Sequence, residues 1–268
     1  MLALSSTREV VARLQTAREV EVEAYTIHGE VERQLEAAAR RGARVAVELE
    51  AAPYDDPRGG LAKENARLVK RMTAAGIDAR LADCIHAKAI RVDGTLYLDG
   101  KNWGKSDLVV RDDDASEAAR IPMSKPQALA QEAALLREAG ANDRAIVESE
   151  SFGTGNVTYD ALKALGAAGA APRLLVSQRV LRNNERERAV LEHLVRDGVR
   201  VRVCSDSEKL AAAGDRAWLG SANATVTFGR ADMTDWGCRT SDARIVSAVR
   251  TRLEELWQSA RPLKSQKA

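Results

Sequence analysis

The chain repeats one order of predicted secondary structure twice. Apolar residues alternate or recur at helical spacing, so that strand, helix, strand, helix and strand follow one another over residues 19–82 and again over 144–204. The two copies align near their ends, where residues 64–88 and 184–209 each read as a helix, a glycine, a strand and a polar segment ending in lysine. Such a duplication predicts two similar halves, each with a mixed α/β sheet.

The predicted elements have clear ends in the sequence. Glycine follows the helices at positions 42, 76 and 198, and Asp93-Gly94 between two strand-like runs is typical of a hairpin turn. We predict strands at Glu19–Thr26, Ala43–Leu49, Ala79–Ala82, Ala87–Val92, Thr95–Leu98, Arg144–Glu150, Pro172–Gln178 and Val199–Cys204. We predict helices at Ser6–Thr16, Glu30–Arg41, Leu61–Ala75, Tyr159–Ala167 and Asn184–Arg196.

A further helix is predicted between the two copies. Pro126–Glu138 has proline in its first turn and Gly140 behind it, which are the residues that favour a helix start and a helix end. We therefore expect a first half over residues 1–124, a linker helix within 125–140 and a second half over 141–268.

The charge balance limits the partners that the chain can bind. Its 268 residues include 41 Lys and Arg against 39 Asp and Glu, a formal net charge of +2. This argues against a protein that grips nucleic acid with its whole surface, although residues 141–268 carry 20 basic against 16 acidic side chains. Only ten residues are aromatic, which is few for a base-stacking platform.

The sequence favours a cytoplasmic protein. No apolar run approaches the ~20 residues of a membrane helix, and the first residues lack the basic segment and apolar core of a signal peptide. The three cysteines, Cys84, Cys204 and Cys238, are scattered, and no pair has the spacing of zinc ligands. We therefore expect reduced thiols, no transmembrane segment and no bound metal.

His86 and Lys88 stand near the end of the first copy. Residues two apart on a strand point to the same face, so both side chains are predicted to reach one anion. A neutral imidazole can attack phosphorus or carry a proton, and an ammonium group neutralises phosphate charge. Asp93 is a candidate to orient the imidazole, and Asn102 in the following loop can donate to phosphate oxygens.

This arrangement resembles the HKD signature of the phospholipase D superfamily. His86, Lys88 and Asp93 have its spacing, and Gly100-Lys101-Asn102 follows where that family has a Gly-Ser-x-Asn element. The resemblance extends from about Val20 to Trp257. It implies two α/β halves packed as a pseudo-dimer, each bringing one motif to a shared site, and phosphohistidine chemistry that needs no metal or other cofactor.

The second copy keeps part of this signature and loses its histidine. The lysine and the element Gly220-Ser221-Ala222-Asn223 are intact. A serine hydroxyl is a poor general acid at neutral pH, and loss of one member of an acid–nucleophile pair costs several orders of magnitude in rate. An offset of 121 residues pairs His86 with Ser207, Lys88 with Lys209, Asp93 with Gly214, and Asn102 with Asn223.

The resemblance implies a role for each matching residue. His86 is expected to be one of the two catalytic groups, with Lys88 and Asp93 beside it. His28, which follows the first strand, is an alternative source of the missing acid besides Ser207; it is otherwise interpreted as a surface residue at a helix start. The residues expected to bind substrate phosphate are Asn102, Lys209, Ser221 and Asn223.

We therefore expect a phospholipase D-like phosphodiesterase or phosphatidyl transferase that acts through a phosphohistidine on His86, with activity open to impairment by the serine at 207. The substrate is left open between phospholipid and nucleic acid, so a nuclease-type phosphodiesterase is one alternative. A catalytically inactive scaffold that binds phosphate or nucleic acid is the other. Restoring the signature with Ser207→His and Gly214→Asp is expected to raise activity. We expect a monomer, because a duplicated chain already fills its own two-fold interface.

Overall fold

The computed structural model describes residues 2–53, 58–105, 108–114, 122–140, 142–181, 184–225 and 233–263. The chain divides into two compact units. Unit 1 consists of Met1–Ser124 with Asp232–Trp236, and unit 2 consists of Lys125–Ala231 with Gly237–Ala268. The chain therefore returns briefly to unit 1 late in its course.

Unit 1 is built on a seven-stranded sheet with the order β1-β7-β6-β5-β2-β3-β4. Strands β2, β3 and β4 are parallel, and β5, β6, β7 and β1 continue the sheet as antiparallel neighbours. The strands are β1 (Leu2–Ser5), β2 (Glu19–Ala24), β3 (Arg44–Glu50), β4 (Asp78–Ala82), β5 (Lys88–Val92), β6 (Thr95–Leu98), β7 (Val109–Asp112) and β8 (Pro122–Ser124), and the helices are α1 (Thr7–Leu14), α2 (Gly29–Arg40) and α3 (Gly60–Ala74).

Amphipathic patterning accounts for how the helices of unit 1 pack. In α2, Val31, Leu35 and Ala38 recur at helical spacing and are fully buried. In α3, Leu68 and Met72 are buried in the same way and contribute to one core cluster with the apolar residues of β2 and β3. This packing leaves the loops after β2 and β3 at the edge where those parallel strands end.

Unit 2 repeats this topology. Strands β9, β10 and β11 are parallel, β12 is antiparallel to β9, and β13 and β14 follow as antiparallel neighbours. The strands are β9 (Ile146–Ser149), β10 (Arg173–Ser177), β11 (Arg200–Cys204), β12 (Leu210–Ala213), β13 (Arg216–Gly220), β14 (Thr234–Thr240) and β15 (Arg261–Pro262), and the helices are α4 (Lys125–Arg137), α5 (Val157–Ala167), α6 (Gln178–Leu181), α7 (Glu185–Arg196) and α8 (Ala243–Ser259).

The predicted α/β class and its duplication are confirmed by the strand order. The order β4-β3-β2-β5-β6-β7 in unit 1 matches the order β11-β10-β9-β12-β13-β14 in unit 2. Each predicted element is present, with ends that differ by a few residues. The elements that were not predicted are β1, β7, β8, β12, β13, β14, β15, α6 and α8. Strand β12 reads Leu-Ala-Ala-Ala, and alanine has a low strand propensity; pairing with β9 and β13 holds it in the sheet.

The helix between the copies differs from the predicted linker. Helix α4 is part of unit 2, where it packs against α5 and against β12 and β13. It buries Ala128, Leu129, Ala133, Leu135 and Leu136, which lie on more than one face, and such a helix needs neighbours on several sides. The second half therefore begins at residue 125 rather than 141, and residues 232–236 belong to the first.

Candidate active site

His86 lies two residues before the start of β5, beside the carboxyl end of β2. The register of the antiparallel pair places Lys88 opposite Ala24, the last residue of β2, and the Tyr25 N–H donates to the carbonyl of Ala87. The carboxyl ends of parallel strands are where loops gather binding and catalytic groups in α/β folds. The sheet topology of unit 1 thus brings the predicted motif to that edge.

Buried hydrogen bonds hold the backbone on both sides of His86. The Glu50 carboxylate, itself fully buried, accepts the Ile85 N–H at 2.6 Å. The His86 N–H donates to the carbonyl of Thr234 at 2.9 Å, and the Thr234 N–H donates to the carbonyl of Cys84 at 2.7 Å. Residues 84–86 are therefore tied to the strand that carries Asp235.

The His86 imidazole is paired with a buried carboxylate. Its Nδ1 lies 2.7 Å from Oδ1 of Asp235, and the two side chains are 8% and 1% exposed. An ionised carboxylate can only accept, so pairing with one assigns the proton to Nδ1 and leaves the lone pair of a neutral ring on Nε2. A carboxylate in this position fixes both the tautomer and the ring orientation of a histidine that attacks through Nε2.

Sequence reasoning missed Asp235. It assigned the orienting carboxylate to Asp93, seven residues after the histidine, whereas the observed partner is 149 residues away. The available signal was a single aspartate between Thr234 and Trp236 in an otherwise strand-like segment, and that pattern does not name a partner.

Lys88 and Tyr25 also lie beside the imidazole. The Lys88 side chain is 1% exposed, and its ammonium group donates to the backbone carbonyl of His86. Lys88 Nζ lies 5.4 Å from the centroid of the Tyr25 ring, whose edge-to-face contact with the His86 ring has a centroid separation of 5.2 Å. Both side chains thus contact the ring of Tyr25, a residue that the sequence did not reveal, and their joint binding of one anion stays a prediction.

Asp93 lies away from the imidazole. It occupies the turn after β5, at the end of that strand opposite Lys88, with a left-handed φ of 47°. Its Oδ1 accepts the N–H groups of Arg18 at 3.0 Å and of Glu19 at 2.9 Å. These bonds anchor the start of β2 to the hairpin, so the contacts of Asp93 serve the fold of the turn.

Asn102 lies in the loop that starts beside Lys88. The Asp99 N–H donates to the Lys88 carbonyl at 2.9 Å, and Asn102 follows three residues later. Its Oδ1 is buried and has no hydrogen-bond partner among the residues that the structure describes. The loop that carries the Asn102 amide therefore begins beside Lys88 in unit 1.

His28 stands outside this cluster of contacts. It is the residue before α2, half of its side chain is exposed, and its Nδ1 lies 3.6 Å from a Glu64 carboxylate oxygen. Its ring makes no cap bond to the helix that it precedes. The surface interpretation at a helix start describes its position.

The second motif keeps the backbone pattern of the first. Lys209 Nζ donates to the carbonyl of Ser207 at 2.7 Å, as Lys88 does to that of His86. The Gly220 N–H donates to the Lys209 carbonyl at 3.1 Å, and Ser221 and Asn223 follow with 0% and 3% exposure. The second motif therefore keeps the backbone hydrogen bonds of the first motif, although it lacks the histidine.

The electrostatics of the second motif differ. Lys209 Nζ lies 3.1 Å from a Glu150 carboxylate oxygen, and Arg179 binds the other oxygen of the same carboxylate. Burial raises the pKa of Glu150, but Lys209 and Arg179 lower it by more, so that the pKa falls to about 2. The ammonium group predicted to bind phosphate here already has a carboxylate of unit 2 beside it.

Gly214 takes the place of Asp93 in the second hairpin. Its φ of 56° is close to that of Asp93, so both copies use a left-handed residue at this turn. A Cβ added at Gly214 would lie 3.3 Å from the Asp143 carboxyl carbon. The position of the aspartate that the second signature lacks is thus a turn position. An aspartate at residue 214 would lie beside the carboxylate of Asp143.

In the described part of the chain, no group of three or more His, Cys, Asp or Glu side chains is placed to hold a metal ion. Nor is any helix within those same ranges both long and apolar enough to cross a membrane.

Comparison with solved structures identifies the fold. A phosphatidylserine synthase from Haemophilus influenzae Rd KW20 superposes with a TM-score of 0.71 at 9% identity, over 100% of this chain and 89% of that one. A polyphosphate kinase from Porphyromonas gingivalis gives a TM-score of 0.62 at 15% identity over 96% of this chain. Our chain spans 47% of the length of that kinase chain.

A phospholipase D family member, Nuc from Salmonella typhimurium, matches 50% of this chain and 88% of its own at 14% identity, with a TM-score of 0.42. Neither a protein-family model nor a curated protein sequence matches the chain. The phosphatidylserine synthase and the polyphosphate kinase are phospholipase D superfamily proteins, and the chain has the fold of that superfamily. The predicted fold is confirmed at this level.

Proposed function

We propose that the protein is a phosphoryl-transfer enzyme of phospholipase D type, a phosphodiesterase or phosphatidyl transferase, with His86 as its nucleophile. The observation that carries the proposal is the buried His86–Asp235 pair beside Lys88. The two structural neighbours are named for polyphosphate and phosphatidylserine, and both names denote phosphate compounds. Substrate class and turnover are part of the proposal.

The proposed reaction has two steps. In the first, Nε2 of His86 forms a bond to phosphorus while the bond from phosphorus to the leaving oxygen breaks, and that oxygen departs with the electron pair. In the second, the oxygen of water or of an acceptor hydroxyl forms a bond to phosphorus while the bond from phosphorus to Nε2 breaks; Nε2 takes back its electron pair, and the proton of the attacking group passes to solvent. Asp235 keeps the ring in the attacking tautomer, and Lys88 offsets negative charge on the phosphoryl oxygens.

Loss of the second histidine predicts which substrates react fastest. An alkoxide leaving group requires a proton from a general acid, and Ser207 does not supply one at neutral pH. A phenolate or phosphate leaving group departs without that proton. We therefore propose that activated aryl diesters or phosphoanhydrides are turned over more readily than dialkyl phosphodiesters.

The test is a hydrolysis assay on bis(4-nitrophenyl) phosphate and on a dialkyl phosphate, each in excess EDTA. The expected result is EDTA-insensitive turnover of the aryl diester by the parent protein and by Ser207→Ala, with loss of activity by about 10³-fold or more in His86→Ala. Mass spectrometry of protein quenched in alkali should find the phosphoryl adduct on His86. Equal rates in the parent and in His86→Ala would contradict the proposal.

A second candidate is a scaffold of the same fold that binds phosphate groups without turnover. The observation that favours it is the second motif, where Ser207 replaces histidine and Glu150 already pairs with Lys209. Saturable binding of phosphate diesters, with no product and no adduct on His86, would identify this alternative.

A further inference from the structure

A basic cavity lies at the edge of the unit 2 sheet opposite the second motif. It has a volume of about 750 Å³ and is formed by the segments that lead into the parallel strands β9, β10 and β11, together with the end of α8. Glu150 and Ser207 instead follow the carboxyl ends of β9 and β11. The charged residues and the aromatic residue that line the cavity are Arg144, Arg173, Arg200, Glu254 and Trp257, and we call it the arginine pocket.

Guanidinium groups surround the indole ring of Trp257. The guanidinium carbons lie 5.3 Å, 5.6 Å and 4.7 Å from the Trp257 ring for Arg173, Arg200 and Arg202 respectively. The Arg202 side chain also donates to the Trp257 carbonyl at 2.5 Å. Guanidinium planes held against an aromatic ring keep their N–H edges available to an anion, and such a side chain loses little entropy when the anion binds.

The pocket has more positive than negative charge. Arg173 binds the Glu254 carboxylate through two nitrogens, with 2.8 Å for one of the two bonds. The Arg144 and Arg200 side chains have no hydrogen-bond or ion-pair partner among the described residues. One carboxylate therefore faces three guanidinium groups; Arg173 forms a close ion pair with it, and Arg144 also contributes to the lowered pKa of Glu254.

Unusual backbone conformations occur at the rim of the pocket. Arg144 and Ala171 have φ values of 48° and 47°, in the left-handed region that residues other than glycine rarely adopt. Such conformations cost free energy and are concentrated at functional sites.

We propose that the arginine pocket binds a small ligand with at least two linked phosphate groups. A guanidinium group can bind two oxygens of one phosphate. Arg144 and Arg200, which make no close ion pair with any carboxylate that the structure describes, can therefore each bind a separate phosphate group. The volume is that of an ordinary small-molecule site. The proposal concerns a site apart from His86 and does not depend on the proposed reaction.

Isothermal titration calorimetry with inorganic tripolyphosphate, carried out in a His86→Ala background, tests the proposal. The double variant Arg144→Gln with Arg200→Gln should weaken binding by about tenfold or more, because two charge-assisted contacts are lost. The matched control is Arg244→Gln, an exposed arginine at the opposite end of α8, which should change affinity by less than about twofold.

A second variant is expected to change the affinity in the opposite direction. Glu254→Gln removes the one carboxylate of the pocket and should tighten binding by about threefold or more. ATP in place of tripolyphosphate distinguishes a nucleotide from a plain oligophosphate, since extra affinity for ATP would assign part of the pocket to the base. Absence of binding to both probes, or an equal loss in Arg244→Gln and in the double variant, would overturn the proposal.

Discussion

The two copies of the motif have the same backbone hydrogen bonds at the lysine but differ in which side chain is paired with a carboxylate. In unit 1 the carboxylate of Asp235 is bound to the imidazole of His86, and Lys88 lies against an aromatic ring. In unit 2 the carboxylate of Glu150 is bound to Lys209. The hairpin and the lysine conformation are the same in both copies. The carboxylate of unit 1 orients a candidate nucleophile, whereas the carboxylate of unit 2 neutralises the lysine.

The sequence motif and the charged groups around it therefore differ independently between the two units. Both lysines donate to the carbonyl two residues before them, so this bond is a property of the local chain. The carboxylates come from elsewhere in each unit, and they decide what the motif can do.

The largest effect is expected from Asp235→Asn. The amide leaves the size of the side chain unchanged but can donate to Nδ1, so the imidazole takes the wrong tautomer for attack through Nε2. We expect kcat to fall by about 10²- to 10⁴-fold with a smaller change in KM, and the pH dependence of kcat to change. Steady-state kinetics on an aryl phosphodiester measures both. A rate close to that of the parent would show that the pair is only structural.

Removal of the other carboxylate should affect stability. In Glu150→Gln, Lys209 is left buried without its carboxylate, and we expect a loss of about 2–4 kcal/mol in the free energy of unfolding at pH 7. The lowered pKa of Glu150 means that its contribution is complete above the unfolded value of 4.5 and is lost as the pH falls toward 2.

Urea unfolding at pH 7 and pH 3 therefore measures a difference between the parent and Glu150→Gln that narrows at the lower pH. Glu138→Gln serves as a control, because that carboxylate also binds two arginines but is half-exposed, and little change is expected. A difference between the parent and Glu150→Gln that stays constant across this range would contradict the assignment.

Restoring the aspartate of the second signature should be unfavourable. Gly214→Asp places a second carboxylate beside that of Asp143, and we expect a destabilisation of about 1–3 kcal/mol. Gly214→Asn is the matched control, because asparagine tolerates the left-handed conformation and carries no charge. Thermal unfolding compares the two. We also expect Gly214→Asp to add no turnover to Ser207→His, in contrast to the expectation from the sequence.

The smallest effect is expected when the first turn is made like the second. Asp93→Gly removes the acceptor of the Arg18 and Glu19 N–H groups but eases a backbone with positive φ, so the net loss should be about 1 kcal/mol. We expect kcat to remain that of the parent. A large fall in kcat without unfolding would return Asp93 to the catalytic group in which the sequence placed it.

The sequence alone determined the features that depend on local pattern. Strand alternation, helical spacing and the glycines after helices located the repeated elements, and their repetition predicted two similar halves. The sequence also placed His86 and Lys88 close together, because they are only two residues apart in the chain, although β5 begins at Lys88 and His86 precedes it.

The groups that surround those residues come from distant parts of the chain and depend on the tertiary structure. Asp235 reaches His86 because Thr234 bridges to the segment before β5, and Glu150 reaches Lys209 because β9 pairs with β12. Such pairings join positions separated by dozens of residues or more, and one sequence carries no signal of their register. A carboxylate becomes a partner through position and burial, since Coulomb attraction and desolvation depend on distance in space and not along the chain.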